Sequence, residues 1–295
     1  MKKKLFVTIL LIIAVIILAL FIIDSGIIFI RKEHVRISSN GVILDAVLAT
    51  PRLQRGPFPA AVVIPGSAPV TKEDLDGYIR IFVPRGLAIL LYDKRGVGKS
   101  TGKYKPIEIH DSEILLGDLA DDASSAISFL SSHPDIDSAK TGLIGVSQAG
   151  WIMPLAASRN SGVKYIASIS GPAVTYGQEM YYSQLTGDDP GYYKNLSEQE
   201  IERLYNEYQG PHGYDPEQAL KALAVPSIWI VGEADRSVPT FDSVAKLRSL
   251  DKKHPGIFTI KVFPNCDHNL YNKHSNTTVG TFSIIFEWLK RRKLI

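Results

Sequence analysis

Beyond residue 30 the chain alternates short apolar runs with amphipathic stretches. HVRISSNGVILDAVLAT reads as two strands around Asn40-Gly41, a dipeptide suited to the left-handed backbone of a tight hairpin, and PRLQRGPFP reads as a turn. AAVVIPG, LAILLYD, TGLIGV, VKYIASISG, PSIWIVG and FTIKVF then read as strands. DGYIRIFVPRG, SEILLGDLADDASSAISFLSS, QAGWIMPLAASR, SVAKLRSL and TFSIIFEWLKRR read as the helices between and after them. Near-continuous apolar strands separated by helices specify a mostly parallel sheet covered on both faces. The expected fold is therefore α/β and doubly wound, over residues 34–295. Residues 175–223 break the rhythm, with helical pieces such as SEQEIERLYNEYQ and no apolar strand between them. They are expected to form a small helical cap inserted over the sheet. Its tyrosines Tyr176, Tyr181, Tyr182, Tyr192 and Tyr193 fit either a pocket wall or the packing of the cap on the core.

The first thirty residues have a different character. LFVTILLIIAVIILALFII, residues 5–23, is uncharged and reaches the roughly 20 residues a bilayer-spanning helix needs. Its apolar core is longer than the about 7–15 residues of a cleaved signal peptide. Residues 1–30 are thus expected to be an N-terminal transmembrane anchor, or a signal segment if they are cleaved. Lys2, Lys3 and Lys4 keep the leading end cytoplasmic, which places the following domain outside the cytoplasm; Arg31 and Lys32 on the other flank pull against that orientation. Those lysines set against Asp24 account for two of the three charges in the net +3. The remainder is nearly neutral and carries no nucleic-acid footprint, which would need a basic face. Cys266 is the single cysteine, so no intrachain disulfide and no multi-cysteine zinc site can form.

Candidate chemistry starts at Gly145-Val-Ser-Gln-Ala-Gly150, where one serine stands between a strand and a helix. A sharp corner of this kind exposes the side chain of Ser147 to a base that could take its proton. The alternative is a serine that merely caps the helix. A nucleophilic serine needs an imidazole, and the imidazole needs a carboxylate to set its tautomer. In open parallel sheets such groups gather beyond the carboxyl ends of strands. Asp235, in VGEADRSVP, meets that condition, with Glu233 as its rival. His268, in PNCDHNL, meets it after the last strand. His254 precedes that strand, His274 stands further from it, and His34, His110, His133 and His212 come before Asp235 in the chain. The amide of Gln148 and that of Ser67, in the loop after AAVVIPG, are the expected oxyanion donors. The tripeptide Gly98-Lys99-Ser100 imitates a phosphate-binding loop. That loop requires glycine where the chain has Asp93, so Asp93, Arg95, Gly96 and Gly98 are expected to form a turn braced by the charged pair.

Taken together, IPGSAP, YDKRGVGKS, GVSQAG, GEADRSVP and CDHNL resemble the oxyanion loop, the following turn, the nucleophile elbow, the acid turn and the histidine loop of the α/β-hydrolase superfamily. The similarity spans roughly residues 34–293 and is greatest to bacterial esterase and acyl-peptidase-like serine hydrolases. It implies an α/β-hydrolase fold with a cap and a Ser147-Asp235-His268 triad acting on a small-molecule acyl substrate through an acyl-enzyme, with no cofactor and no metal. Ala149 departs from the commonest elbow, G-x-S-x-G, and Pro65 stands where many relatives carry histidine. Cleavage of a carboxylic ester is the expected reaction. A peptide or thioester could be cleaved by the same groups, and a catalytically silent, membrane-anchored binding module could use the same fold.

Overall fold

Alternating apolar residues become the two faces of one twisted sheet. The computed structural model describes residues 12, 29–188 and 195–295. The expected membrane segment, Ile12 apart, therefore lies outside the described residues, as do Tyr192 and Tyr193. Among the described residues no helix is long and apolar enough to cross a membrane. Strands β1 (Ile30–Ser39) and β2 (Val42–Pro51) form the expected hairpin, and Asn40 and Gly41 take φ values of +40° and +81° at its turn. Next come β3 (Phe58–Ile64), β4 (Ala88–Tyr92), β5 (Ile136–Val146), β6 (Ile166–Ile169), β7 (Ser227–Gly232) and β8 (Phe258–Phe263). The eight-stranded sheet has the order β1-β2-β4-β3-β5-β6-β7-β8. Its β1-β2 and β2-β4 pairs are antiparallel, and every later pair is parallel.

The connecting helices are α1 (Asp76–Phe82), α2 (Ser112–Ser132), α3 (Ala149–Arg159), α4 (Tyr176–Thr186), α5 (Glu198–Asn206), α6 (Glu217–Lys221), α7 (Thr240–Lys253) and α8 (Thr281–Arg291). Successive strand side chains point to opposite faces, and the core divides accordingly. Ala60, Val62 and Ile64 of β3 pack with Leu116, Ala120 and Ala123 of α2, Ile152 of α3 and Leu247 of α7. Ala61 and Val63 pack with Ile79 and Phe82 of α1 and with Ile285 and Leu289 of α8. Because both faces are covered, the strands show none of the apolar-polar alternation of a half-exposed sheet.

The segment between β6 and β7 is helical, as expected of a cap. Thr175 and Ser197 start α4 and α5 with reciprocal capping boxes, closed by Gln178 and Glu200. A small cluster of Leu185, Ile201 and Tyr205, with Tyr181 and Tyr182 against it, holds the two helices together. The cap is also tied to the loop after β7, since the Tyr182 hydroxyl donates to the carbonyl of Asp235 at 3.0 Å and Arg236 pairs with Glu198 at 2.9 Å. Both uses of the tyrosines occur. Tyr176 packs on Trp151 of α3 with ring centroids 5.0 Å apart and also lines a cavity beside the candidate site, while Tyr181 stacks on Tyr208 within the cap.

Candidate active site

Strand register brings the site together. Ile64 of β3 pairs with Gly145 of β5, so Pro65-Gly66-Ser67 leaves the sheet beside Val146-Ser147. Gly66 comes close enough that a Cβ placed on it would lie 3.9 Å from the Cβ of Ser147. Ser147 has φ +52°, a left-handed conformation that a side chain with a Cβ adopts only under strain. That strain is the mark of an elbow, and a plain helix cap would sit in the extended region. Its amide donates to the carbonyl of Ile169 at 2.9 Å. The elbow also explains Ala149. A Cβ on Gly145 would sit 2.4 Å from the Ala149 Cβ, and one on Gly150 would sit 2.7 Å from the Cα of Gly171. The alanine methyl thus fills the space that Gly145 leaves, and the steric demand falls on Gly145 and Gly150.

The carboxylate and imidazole meet because the histidine loop crosses the end of β7. A Cβ on Gly232 would lie 2.3 Å from the carbonyl oxygen of Cys266, and that carbonyl accepts the Ala234 amide at 2.9 Å. Asp235 and His268 then stand 2.8 Å apart, Oδ2 to Nδ1. The other carboxylate oxygen accepts the Ser237 and Val238 amides at 2.8 and 2.9 Å. Asp235 is only 2% exposed, and with these three partners its orientation is fixed. Glu233, the rival, accepts instead from the Asn265 amide at 3.4 Å. Burial pushes the His268 imidazole down, but the hydrogen bond and charge of Asp235 outweigh it and leave its pKa above the ordinary value. The serine and histidine loops meet on one segment. Ser147 is bonded to Ile169, and the hydroxyl of the next residue, Ser170, donates to the carbonyl of His268 at 2.7 Å.

The two expected oxyanion donors flank this centre. Gln148 stands directly after Ser147 as the residue preceding α3. Ser67 is on the facing loop, and neither amide donates to another protein group among the described residues. A site for a developing negative charge requires such unspent donors. Sequence reasoning missed Lys94, whose ammonium donates to the carbonyls of Gly66 and Ser67 and to the Gln148 side chain. Its position two residues beyond β4 was the available signal. The turn holding it is glycine-dependent as expected, but its bracing is not mutual. Asp93 pairs with Lys72 at 3.0 Å, while Arg95 reaches Asp118 and Asp122 at 3.0 and 2.8 Å. Ser100 donates to the carbonyl of Asp93 at 2.7 Å, which gives the Gly-Lys-Ser tripeptide a structural use. No group of three or more histidine, cysteine, aspartate or glutamate side chains suited to a metal occurs among the described residues.

The family of X-Pro dipeptidyl-peptidases designated S15 matches residues 40–199. The chain belongs to this family. By that family and by its fold it is a member of the α/β-hydrolase superfamily. The matched span includes Ser67 and Ser147 but ends before Asp235 and His268. A polyketide transferase of Penicillium crustosum is 28% identical over 181 residues, covering 55% of this chain and 54% of that protein. A probable dipeptidyl-aminopeptidase B of Fusarium vanettenii is 25% identical over 232 residues, or 76% of this chain and 23% of that protein. The chain thus spans about half or less of the length of these curated relatives. Among solved structures, a dienelactone hydrolase from Klebsiella pneumoniae superposes with TM-score 0.61 at 18% identity over 88% of this chain and 97% of that one. An esterase of Pyrococcus furiosus superposes with TM-score 0.62 at 16% identity over 88% and 91%. At such identities these structures bear on the fold alone.

Proposed function

We propose that the chain hydrolyses carboxylic esters through an acyl-enzyme, with Ser147 as nucleophile, His268 as general base and then acid, and Asp235 as the group that orients His268. The observation that carries this reading is the 2.8 Å contact between the buried Asp235 carboxylate and His268 Nδ1, in a chain that holds Ser147 at φ +52° and joins its loop to the histidine loop through Ile169 and Ser170. With Nδ1 protonated toward Asp235, Nε2 is free to accept the Ser147 proton. The acyl carbonyl oxygen, negative in the tetrahedral intermediate, would be held by the Gln148 and Ser67 amides. Water then repeats the sequence on the acyl-enzyme, with His268 as base, and releases the acid.

The cavity beside the oxyanion loop supports an ester over a free peptide N-terminus. Of about 310 Å³, it is lined by Ala68, Ile107, Leu119 and Tyr176 together with Lys94, Arg95, Lys103 and Lys105, and its one acid is Asp118. Asp118 is already paired with Arg95. An apolar acyl chain fits this lining, whereas a substrate ammonium would meet an excess of like charge. The charges of Glu179 and Asp188 on the cap side act on His268 and favour a second reading, an aminopeptidase that holds its substrate's N-terminus there. Short-chain p-nitrophenyl esters assayed against dipeptidyl amides separate the two. Full ester turnover by Ser147→Ala, or failure of the wild type to react with a fluorophosphonate, would sink both. Attachment to a membrane through residues 5–23, with the catalytic domain outside the cytoplasm, is part of the same proposal, and protease accessibility on intact cells tests it.

A further inference from the structure

Among the described residues, the loop after β4 buries a cation that has no carboxylate partner. Lys94 is 3% exposed, and its three N–H donors are spent on neutral oxygens: the Gly66 carbonyl at 2.8 Å, the Ser67 carbonyl at 3.1 Å and Gln148 Oε1 at 3.0 Å. Its neighbours are treated differently. Lys72, equally buried, pairs with Asp45 at 2.7 Å and Asp93 at 3.0 Å, and Arg95 is neutralised by Asp118 and Asp122. Burying an ammonium without a counter-charge is expensive, so stability gives no reason for Lys94 to be a lysine. Its acceptors do. Two belong to the loop that presents the Ser67 amide, and the third is the side chain of the residue that presents the other amide.

We propose that Lys94 is the positioning residue of the oxyanion hole: one ammonium ties the loop at Gly66-Ser67 to Gln148, sets the separation of the two amides, and keeps a positive charge behind them. This rests on the serine-hydrolase reading above. A neutral amine would have only two N–H donors for three acceptors and would supply no charge, so deprotonation loosens the tie and weakens the field together. Burial pushes Lys94 down to about 8, which brings that change within an ordinary assay range. Tyr104 lies with its ring 5.7 Å from the ammonium and its hydroxyl donating to the Ser67 carbonyl at 3.0 Å. Arg95, Lys103, Lys105 and Asp118 line the adjoining cavity, and Lys105 is paired with Asp111. None supplies a carboxylate to Lys94.

The test follows kcat and KM for p-nitrophenyl butyrate, which does not titrate, from about pH 6 to about 10. Wild type, Lys94→Met and Lys94→Arg are compared, each checked for fold by circular dichroism and for Ser147 by complete fluorophosphonate labelling. Wild-type kcat should fall above about pH 8. Lys94→Met should still label, lose kcat by about 10²-fold as expected for disturbed oxyanion donors, keep KM within a few-fold, and show no alkaline limb. Lys94→Arg, charged throughout the range, should recover part of the rate and also lack the limb. A folded Lys94→Met with wild-type kcat and an unchanged limb overturns the role of Lys94 while a labelled Ser147 leaves the hydrolase reading standing; an unlabelled wild type removes that reading instead. If neither variant folds, the wild-type profile decides alone, and a kcat that stays level through the alkaline range refutes the proposal.

Discussion

Replacing Asp235 by asparagine changes one atom and should remove almost all activity without unfolding the chain. The carboxylate has two separate tasks. Oδ1 accepts two backbone amides at 2.8 and 2.9 Å, and Oδ2 faces His268 Nδ1 at 2.8 Å. Asparagine can accept with only one end. Two amides compete with one imidazole, so its carbonyl oxygen stays on the Ser237 and Val238 amides and its NH₂ turns toward His268. The NH₂ needs an acceptor, which drives the imidazole to the tautomer whose proton is on Nε2. That nitrogen then cannot take the Ser147 proton. In triads the same change costs about 10⁴ in kcat, equivalent to about 5.4 kcal/mol at 1.36 kcal/mol per decade. The loss of charge has its own signature. Asp235 is what holds His268 above its ordinary value against the effect of burial, so residual activity should show its acid limb displaced to lower pH. The assay is initial-rate hydrolysis of p-nitrophenyl acetate across pH, with melting temperature as the fold control. A folded Asp235→Asn within about tenfold of wild type, or one with an unmoved acid limb, refutes the assignment of Asp235 and leaves Glu233 to be tested next.

Three further outcomes follow from the same geometry. Gly145→Ala forces a methyl to within 2.4 Å of the Ala149 Cβ and 2.9 Å of the Ile64 carbonyl oxygen and should destabilise the domain by about 1–3 kcal/mol, as overpacked cores do; adding Ala149→Gly should restore only part of the lost melting temperature, because the clash with the Ile64 backbone remains. Ser147→Gly relieves a side chain held at φ +52°, so it should melt higher than Ser147→Ala, by up to about 1 kcal/mol of added stability, while neither variant labels with fluorophosphonate. For His268, whose pKa is raised in the folded chain, the sign is definite. Its contribution to stability is fully present below the unfolded value near 6.5 and is lost as pH rises through the folded value. The melting temperature of wild type relative to His268→Gln should therefore narrow as pH rises from about 6 to 8, and kcat/KM should show an acid limb centred above the ordinary imidazole value.

Much of the fold was legible because its strands are buried on both sides. Runs such as AAVVIPG and PSIWIVG have no exposed face to supply polar residues, and they became β3 and β7 with almost the expected bounds. Asn40-Gly41 was legible because few other dipeptides take positive φ twice in succession. The triad candidates were legible by a topological rule, each lying just beyond the end of a parallel strand, where side chains leave the sheet. The choice between Asp235 and Glu233 was not, because two carboxylates two residues apart obey the rule equally. Backbone direction separates them: Glu233 still donates its amide along the sheet to Phe263 at 2.9 Å, whereas Asp235 lies in the turn beyond and faces the imidazole.

Lys94 was illegible for a different reason. It also follows a strand, and as part of Asp-Lys-Arg it looks like one charge in an exposed turn. What sets it apart is the absence, among the described residues, of a partner of opposite charge, and absence has no sequence pattern. Asp93 and Arg95, on either side, go to Lys72 and Asp122, which lie 21 and 27 residues away in the chain; with both neighbours committed elsewhere, only carbonyl oxygens remain for Lys94. Those oxygens come from loops 28 and 54 residues distant, brought together because β3 stands between β4 and β5 in the sheet. The strand order that places Ser67 beside Ser147 therefore also places the ammonium where it can hold both loops. A change that shifts β4 relative to β3 should accordingly lower turnover without altering any residue of the Ser147-Asp235-His268 set.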